Sequence, residues 1–333
     1  MQKLTQNVGS SHPDWNTDTT PKDEIKKILI CRPNHRLGNL LLITPLVQEV
    51  IESFPGCKID LLVKGNLAPA VFKNYGNINV IISFPKKPFK ELIKYTAVWL
   101  SLRKTRYDIV INVINDSSSG RLSAQFADSK YKFFGGDHEV LPLEYQDPHM
   151  ARQPVCYFRY CLTRLGFSGT DKPVPPMSLK LNSSELAEGK KKLATLVNND
   201  KKTICLFTYA TGDKCYSKEW WGEFYERLKT NYPDYNIIEI LPVENISNIS
   251  FKAPTYSHPD IRDVGSVIAN TQVFIGADGG VMHLATAVQV PTVGLFSITD
   301  PKSYAPYNKG SVGINTNETS TDDLLKIVGG ILK

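Results

Sequence analysis

The chain has 333 residues, of which 41% are hydrophobic and 22% charged, and it carries a formal net charge of +6 at pH 7. This length favours two domains. The basic excess is mild, unlike the dense basic stripe of a dedicated nucleic-acid-binding protein. An acidic substrate or an anionic membrane surface is compatible with such a charge.

The N-terminal segment, residues 1–24, is polar and lacks the apolar core of a signal peptide. We expect it to form a partly disordered extension of a cytoplasmic protein. The longest apolar run, residues 281–296, is too short to span a bilayer and is interrupted by histidine, glutamine and proline. The six cysteines have spacings that match no zinc motif, and a disulfide framework is not expected in so long a chain.

Short apolar runs that alternate with helical patterns predict a doubly wound α/β domain over residues 25–172. The predicted strands are residues 27–31, 58–63, 79–82, 108–113 and 131–134, and helical segments include 38–54 and about 89–104. Pro45 falls inside the first helical segment and should kink or break it.

A second series of strands and helices follows a proline-rich linker at residues 171–176. Its predicted strands are residues 203–207, 236–241, 273–275 and 292–296, and its predicted helices are 185–196, 219–230, 262–270 and 281–288. We therefore expect a second Rossmann-like domain at 173–320 and a C-terminal helix at 321–333. No Gly-x-Gly-x-x-Gly follows the first strand and no Walker motif occurs, which disfavours a dinucleotide oxidoreductase or a P-loop enzyme.

One loop has the pattern of a phosphate site. The apolar run 273–275 is followed by Asp278, Gly279 and Gly280, and then by a helical segment that contains His283. A strand that feeds a helix through such a loop presents free N–H groups and a positive dipole end, which suit a phosphate. The alternative interpretation is that the two glycines only make a tight turn and His283 is an ordinary, partly buried histidine.

Two signatures in the same register resemble glycosyltransferase family 9, the heptosyltransferase family. Residues 32–46 resemble the N-terminal signature of the family, and residues 276–287 with 291–301 resemble its C-terminal signature. Lys218-Glu219-Trp220 is similar to a Lys-x-Trp element of the family, and the likeness extends from about residue 26 to residue 307.

The resemblance implies a GT-B fold, in which two Rossmann-like domains face a central cleft. It implies an inverting, metal-independent enzyme that needs no cofactor other than its substrate. The donor would be a nucleotide sugar similar to ADP-heptose, and the acceptor a lipid-linked saccharide of the lipopolysaccharide core or another surface glycan. No nucleic-acid partner is expected.

The resemblance assigns the donor side to the second domain. Lys218, His283 and the backbone from Asp278 through Val281 would bind the donor phosphates. Asp278 would repel a phosphate, so we expect it to accept hydrogen bonds from sugar hydroxyls or from its own loop, or to act as an N-cap. Gly279 replaces the Ser or Thr that is usual in the family, so only its backbone N–H is left to bind there.

The acceptor side is assigned to the first domain, where Arg36 would face the acceptor and Gly38 would permit close backbone approach. In the second domain, Glu244 would bind ribose hydroxyls or be merely solvated. Asn39 is the clearest departure, because the family has an aspartate there that acts as catalytic base, and an amide cannot accept a proton at neutral pH.

Three explanations of Asn39 stay open. His35 or another nearby group is the base, although a surface-loop histidine is an equally good interpretation of that residue. Asn39 only orients a different acceptor. The protein is a non-catalytic relative that binds a sugar nucleotide as a scaffold. A sugar-nucleotide epimerase on a similar frame is a further possibility, but the Arg-Leu-Gly start of the first helix argues against it.

A last segment mixes basic and apolar residues at helical spacing. It comprises residues 86–90 and 94–106, with lysines and arginines beside Phe89 and Trp99. This pattern predicts either a peripheral contact with the anionic inner face of the cytoplasmic membrane or a helix packed on the sheet with solvated lysines.

Overall fold

The computed structural model describes residues 21–85, 91–136 and 141–333. The chain divides into two compact units, with the boundary between Pro175 and Pro176, inside the predicted linker. The predicted N-terminal extension lies mostly outside the described residues, as do the basic residues 86–90. The last residues of that extension, Lys22–Glu24, form a turn of 3-10 helix.

The first unit is built on a parallel sheet in the order β3-β2-β1-β4-β5, so all five predicted strands are present. The strands are β1 (Lys27–Cys31), β2 (Lys58–Lys64), β3 (Ile78–Phe84), β4 (Arg106–Asn112) and β5 (Asp128–Phe133). The α-helices are α1 (Leu37–Leu41), α2 (Thr44–Ser53), α3 (Ala68–Val71), α4 (Leu92–Lys104), α5 (Ser118–Phe126) and α6 (Gln153–Arg164).

The order of this sheet reverses at its centre. The chain runs outward from β1 through β2 to β3, and then returns to the other side of β1 to add β4 and β5. Ligands of open α/β sheets bind at the carboxyl ends of the strands where the order reverses. The loops after β1 and β4, residues 32–36 and 113–117, therefore occupy the favoured position for a ligand in this unit.

The predicted helix at residues 38–54 is broken, as its proline indicated. Helix α1 ends at Leu41 and α2 starts at Thr44, with Pro45 in its first turn, where no N–H is needed. The Thr44 hydroxyl donates to the Leu41 carbonyl over 2.7 Å and stabilises the junction. The break leaves α1 as a short helix that carries Gly38 and Asn39.

The second unit is built on a parallel sheet in the order β11-β10-β9-β6-β7-β8. The strands are β6 (Thr203–Phe207), β7 (Asn236–Ile240), β8 (Thr255–Tyr256), β9 (Val273–Ala277), β10 (Thr292–Phe296) and β11 (Val312–Asn315). The α-helices are α7 (Ser183–Val197), α8 (Lys218–Asn231), α9 (Ile261–Ile268), α10 (Gly280–Ala287), α11 (Pro301–Tyr304) and α12 (Thr321–Leu332). The two edge strands, β8 and β11, were not predicted, because two and four residues are too few to show a periodic pattern.

The start of the second unit is attached to the end of α10. The Leu179 N–H donates to the Ala287 carbonyl over 2.9 Å, and the Gln289 amide donates to the Met177 carbonyl over 2.6 Å. Ala287 is the last residue of α10, so the segment that follows the boundary is hydrogen-bonded to the C-terminal end of that helix.

An ion pair between Arg262 of α9 and Glu185 of α7 stabilises the same region. Arg262 is only 3% exposed and donates to the two carboxylate oxygens of Glu185 over 2.6 and 2.7 Å. It also donates to the carbonyls of Leu179 and Lys180. Glu185 completes a capping box with Asn182 at the start of α7. One guanidinium thus joins two helices to the segment that precedes α7.

Within the described part of the chain, no helix has the length and apolar character that crossing a bilayer requires.

Candidate functional site

The candidate site of the second unit lies where its strand order reverses. Strands β6 and β9 are neighbours in the parallel sheet, with Phe207 opposite Gly276. The chain runs outward from β6 through β7 and β8, and returns to add β9, β10 and β11 on the other side. The loops that follow β6, β9 and β10 therefore reach the same edge of the sheet.

Asp278 is the centre of this site. It follows β9 directly and is only 5% exposed. Its Oδ2 pairs with the Lys214 ammonium and accepts a hydrogen bond from the Thr299 hydroxyl over 2.7 Å. Its Oδ1 lies 3.8 Å from Nε2 of His283. Side chains from the loops after β6 and β10 and from α10 thus converge on one carboxylate.

Helix α10 begins without a side-chain cap. Asp278 was a possible N-cap, but the structure gives that position to Gly279, whose extended backbone makes no side-chain cap hydrogen bond. The predicted N-cap role of Asp278 is therefore wrong, because its carboxylate turns toward Lys214 and Thr299 instead. The positive end of α10 consequently faces the loop, as the phosphate hypothesis requires.

Gly279 is not required by steric crowding. A Cβ added there would meet its nearest neighbour, the Ala277 carbonyl oxygen, at 3.7 Å, which is an ordinary contact. Its φ of 178° is extended backbone that any residue adopts. The usual Ser or Thr of the family would therefore fit at this position, and its absence is a property of this sequence rather than a demand of the fold.

His283 is buried in the first turn of α10, and its ring lies 6.3 Å from that of Tyr304 in α11. This position agrees with both interpretations made from the sequence, a buried histidine and a residue of the anion site. Its approach to Asp278 places it beside the open end of its own helix.

The lysine that pairs with Asp278 is Lys214, which the sequence did not indicate. Lys218 is exposed at the first residue of α8. Lys214 instead reaches Asp278 from the 3-10 turn Gly212–Lys214 after β6, and its ammonium lies 5.9 Å from the centre of the Tyr304 ring. Sequence reasoning missed Lys214 because no motif marks it and only the pairing of β6 with β9 brings it to the loop.

The carboxylate predicted to contact ribose lies in a turn after β7, where Glu244 is exposed. A second carboxylate, that of Glu239 in β7, is fully buried and accepts hydrogen bonds from the hydroxyls of Thr208 and Ser247. Burial raises the pKa of Glu239, although the two hydroxyl donors oppose this effect. Glu239 thus links the loops after β6 and β7 by hydrogen bonds and stabilises the edge of the sheet near Glu244.

The predicted residues of the first unit lie on α1 and the loop before it. His35 and Arg36 are exposed, whereas Gly38 is buried. Asn39 is half-buried, and its Oδ1 accepts a hydrogen bond from the guanidinium of Arg32 over 2.9 Å. The amide oxygen is therefore already engaged within the protein, which leaves the NH2 group of Asn39 as a donor.

The loop after β4 brings a further carboxylate to this edge. Strands β1 and β4 pair in parallel, with Cys31 opposite Asn112, so the loops that follow them are neighbours. Asp116 is exposed in the second of these loops. The sequence analysis did not select it, because the pairing of β1 with β4 cannot be read from the sequence.

Comparisons with known proteins point to one family of enzymes. The family described as "Glycosyltransferase family 9 (heptosyltransferase)" matches residues 257–326, a range that includes Asp278, His283 and Thr299. Lipopolysaccharide heptosyltransferase 3 from Escherichia coli is 22% identical over 307 residues, which cover 83% of this chain and 85% of the relative. Both matches support the predicted resemblance to glycosyltransferase family 9. Lipopolysaccharide core heptosyltransferase OpsX from Haemophilus influenzae is 20% identical and is matched over 82% of this chain and 79% of its own length.

Solved structures of glycosyltransferase family 9 share the fold. The family 9 protein from Veillonella parvula superposes with a TM-score of 0.74 at 16% identity, covering 94% of this chain and 98% of the other. Escherichia coli heptosyltransferase WaaC with ADP gives a TM-score of 0.67 at 17% identity, over 92% and 99% of the two chains. The predicted resemblance to the family and the predicted GT-B fold are therefore confirmed.

Proposed function

We propose that this protein is an inverting, metal-independent glycosyltransferase. It transfers a heptose or a related sugar from an ADP-heptose-like donor to a lipopolysaccharide-core or other surface-glycan acceptor. The observation that carries the proposal is the convergence of Lys214, Asp278 and His283 at the open N-terminus of α10. The names of the relatives, lipopolysaccharide heptosyltransferases, support the substrate class, and WaaC was solved with ADP.

The site offers positive partners to a departing diphosphate. The free N–H groups at the start of α10 are donors to phosphate oxygens, and the Lys214 ammonium and His283 lie beside them. Asp278 would repel a phosphate if it stood alone. Because its carboxylate is paired with Lys214 and hydrogen-bonded by Thr299, the loop as a whole does not present an uncompensated negative charge.

The base for the attacking hydroxyl is proposed to be His35. Asn39 accepts no proton, and its Oδ1 is engaged by Arg32. His35 is exposed four residues earlier in the chain, and a neutral imidazole has a ring nitrogen that can accept a proton. Asn39 then orients the acceptor through its NH2 group.

Matched variants test the base. His35→Gln should lower kcat by roughly 10²–10⁴-fold, the usual contribution of a general base, and leave ADP affinity unchanged. Asp116→Asn removes the exposed carboxylate of the neighbouring loop and serves as the control, with kcat expected to stay within a few-fold of the parent protein. Full turnover by the His35 variant contradicts the assignment, and a large loss in the Asp116 variant transfers the role to that carboxylate.

The donor assignment is tested by calorimetric titration with ADP, UDP and GDP, followed by nucleotide release from ADP-heptose with and without a core-saccharide acceptor. We expect ADP to bind most tightly and release to require the acceptor and to persist in EDTA. NMR of the product should show an inverted anomeric centre.

The same experiment separates catalysis from scaffolding. Binding of ADP-heptose without acceptor-dependent release would indicate a sugar-nucleotide-binding scaffold, and binding of none of the nucleotides would overturn the donor site. Because the proposed acceptor is lipid-linked, the reaction is expected at the inner face of the cytoplasmic membrane, with the protein as a peripheral component.

A further inference from the structure

Helix α4 carries apolar side chains on two opposite faces. Its inner face contributes Trp99 and Leu102 to the core of the first unit. On the outer face, the side chain of Ile93 is 87% exposed and that of Leu100 is 58% exposed. Residues four and seven apart lie on one side of a helix, so Ile93, Ala97 and Leu100 form a single exposed row, here called the outer stripe. A helix that only covered the sheet would have a polar outer face.

Cations flank the outer stripe. Lys94, Arg103 and Lys104 are all exposed, and the sequence of α4 contains no Asp or Glu. Lys94 pairs with Glu91 just before the helix, whereas Arg103 lies over the ring of Phe126, 5.4 Å from its centre. The stripe thus has one cation near its first turn and two at its end.

An open groove lies beside the C-terminal half of α4. Its volume is about 670 Å³, and its wall combines the rings of Trp99 and Phe126 with the cations of Arg103 and Lys132 and one carboxylate, that of Asp128. The Lys132 ammonium donates to the Gln125 carbonyl over 2.7 Å, which fixes its position at the groove. Aromatic rings beside cationic groups match the boundary between acyl chains and phosphate headgroups.

We propose that the outer stripe, its flanking cations and this groove bind the surface of an anionic phospholipid bilayer. Helix α4 lies in the interface, with Ile93 and Leu100 inserted among the lipids and the ammonium and guanidinium groups at the level of the phosphates. Exposure and charge alone define this surface, whatever the donor and the acceptor are.

A bilayer fits this surface better than a protein does. A stable protein interface buries about 800 Å² on each partner around a closed apolar core, whereas the outer stripe offers two large exposed side chains in a narrow row. A second copy of the chain would bring the same cations against one another. Interfacial helices need little apolar area, because each Lys or Arg near an anionic leaflet strengthens binding by about fivefold, the equivalent of about 1 kcal/mol.

Co-sedimentation of the full chain with vesicles tests the proposal. The protein should pellet with vesicles that contain phosphatidylglycerol and not with phosphatidylcholine alone, and binding should weaken as salt screens the charges. Lys104→Gln should lower the partition coefficient by about fivefold. Ile93→Ser and Leu100→Ser should each lower it by roughly ten- to thirtyfold, as expected for withdrawing a large apolar side chain from the lipid.

Matched controls separate the helix from the rest of the surface. Leu143, 84% exposed in the same unit but outside α4, gives the control Leu143→Ser, and the exposed helix residue Lys190 gives Lys190→Gln. Both should bind like the parent protein, with unchanged thermal midpoints for every variant. Absence of binding to anionic vesicles overturns the proposal, and it is also the result expected if α4 docks on an acidic protein. Losses of binding in the controls as large as those in the α4 variants overturn it as well. No nucleotide or acceptor is present in the assay, so its failure is distinct from a failure of the glycosyltransferase proposal.

Discussion

Replacing Lys214 by Met removes the ammonium that pairs with Asp278 and keeps the aliphatic stem. The carboxylate is 5% exposed, so it loses a charged partner in a place that water scarcely reaches. Breaking a fully buried pair costs 3–5 kcal/mol, but the Lys214 side chain is 34% exposed and the Thr299 hydrogen bond persists. We therefore expect a loss of about 1–3 kcal/mol in the free energy of unfolding of the second unit.

The assay is urea unfolding followed by tryptophan fluorescence, since Trp220 and Trp221 report on the second unit. A double-mutant cycle with Asp278→Asn isolates the pair, and we expect a coupling energy of about 1–3 kcal/mol. Lys218→Met is the matched control. It removes an exposed lysine from the same unit and should change the free energy of unfolding by less than about 0.5 kcal/mol.

Donor binding should distinguish the same two lysines. Lys214→Met should weaken ADP affinity by about tenfold or more, because a charge-assisted hydrogen bond is worth about 1.5–3 kcal/mol. Lys218→Met should weaken it less. If ADP affinity depends on Lys218 and not on Lys214, and the cycle shows no coupling, then the reasoning from the Asp278 cluster is refuted and the sequence motif indicated the correct lysine.

Glu239→Gln should change how the free energy of unfolding depends on pH. Because burial raises the pKa of Glu239, its ionisation destabilises the folded parent protein above the ordinary glutamate pKa. The free energy of unfolding of the variant, relative to that of the parent, should therefore rise as pH increases from about 4 toward 7. An unchanged difference across that range would contradict this. Gly189→Ala should destabilise by roughly 1–3 kcal/mol, since its Cβ would lie 2.2 Å from a backbone carbonyl oxygen, whereas the helical Gly222→Ala has open space and should stabilise by up to about 1 kcal/mol in thermal unfolding. Arg262→Met should cost about 3–5 kcal/mol in urea unfolding by leaving Glu185 without its buried partner, and a loss below 1 kcal/mol would refute that role.

The sequence was sufficient where the information is local. Apolar runs marked the central strands, Pro45 marked the break between α1 and α2, and the glycines after β9 marked the loop at α10. It was insufficient where the information lies in the order of strands. Lys214 and Asp116 reach their sites only because β6 pairs with β9 and β1 with β4, and short-range patterns do not encode those pairings.

Buried polar residues were the other difficulty. Glu239 lies inside an apolar strand pattern, so the sequence could assign it to a strand. Its hydrogen bonds could not be predicted, because its partners Thr208 and Ser247 come from two different loops. Hydrogen bonds of this kind depend on tertiary contacts, which the periodicity of the sequence does not predict.

The attachment of residues 177–179 to the end of α10 has a mechanical consequence. A helix of eight residues is a stiff rod about 12 Å long. Its C-terminal end is hydrogen-bonded to the segment that leaves the domain boundary, and its other end begins at Gly279. A displacement of that segment therefore moves α10 as a rigid body, and with it the N–H groups that face the proposed phosphates.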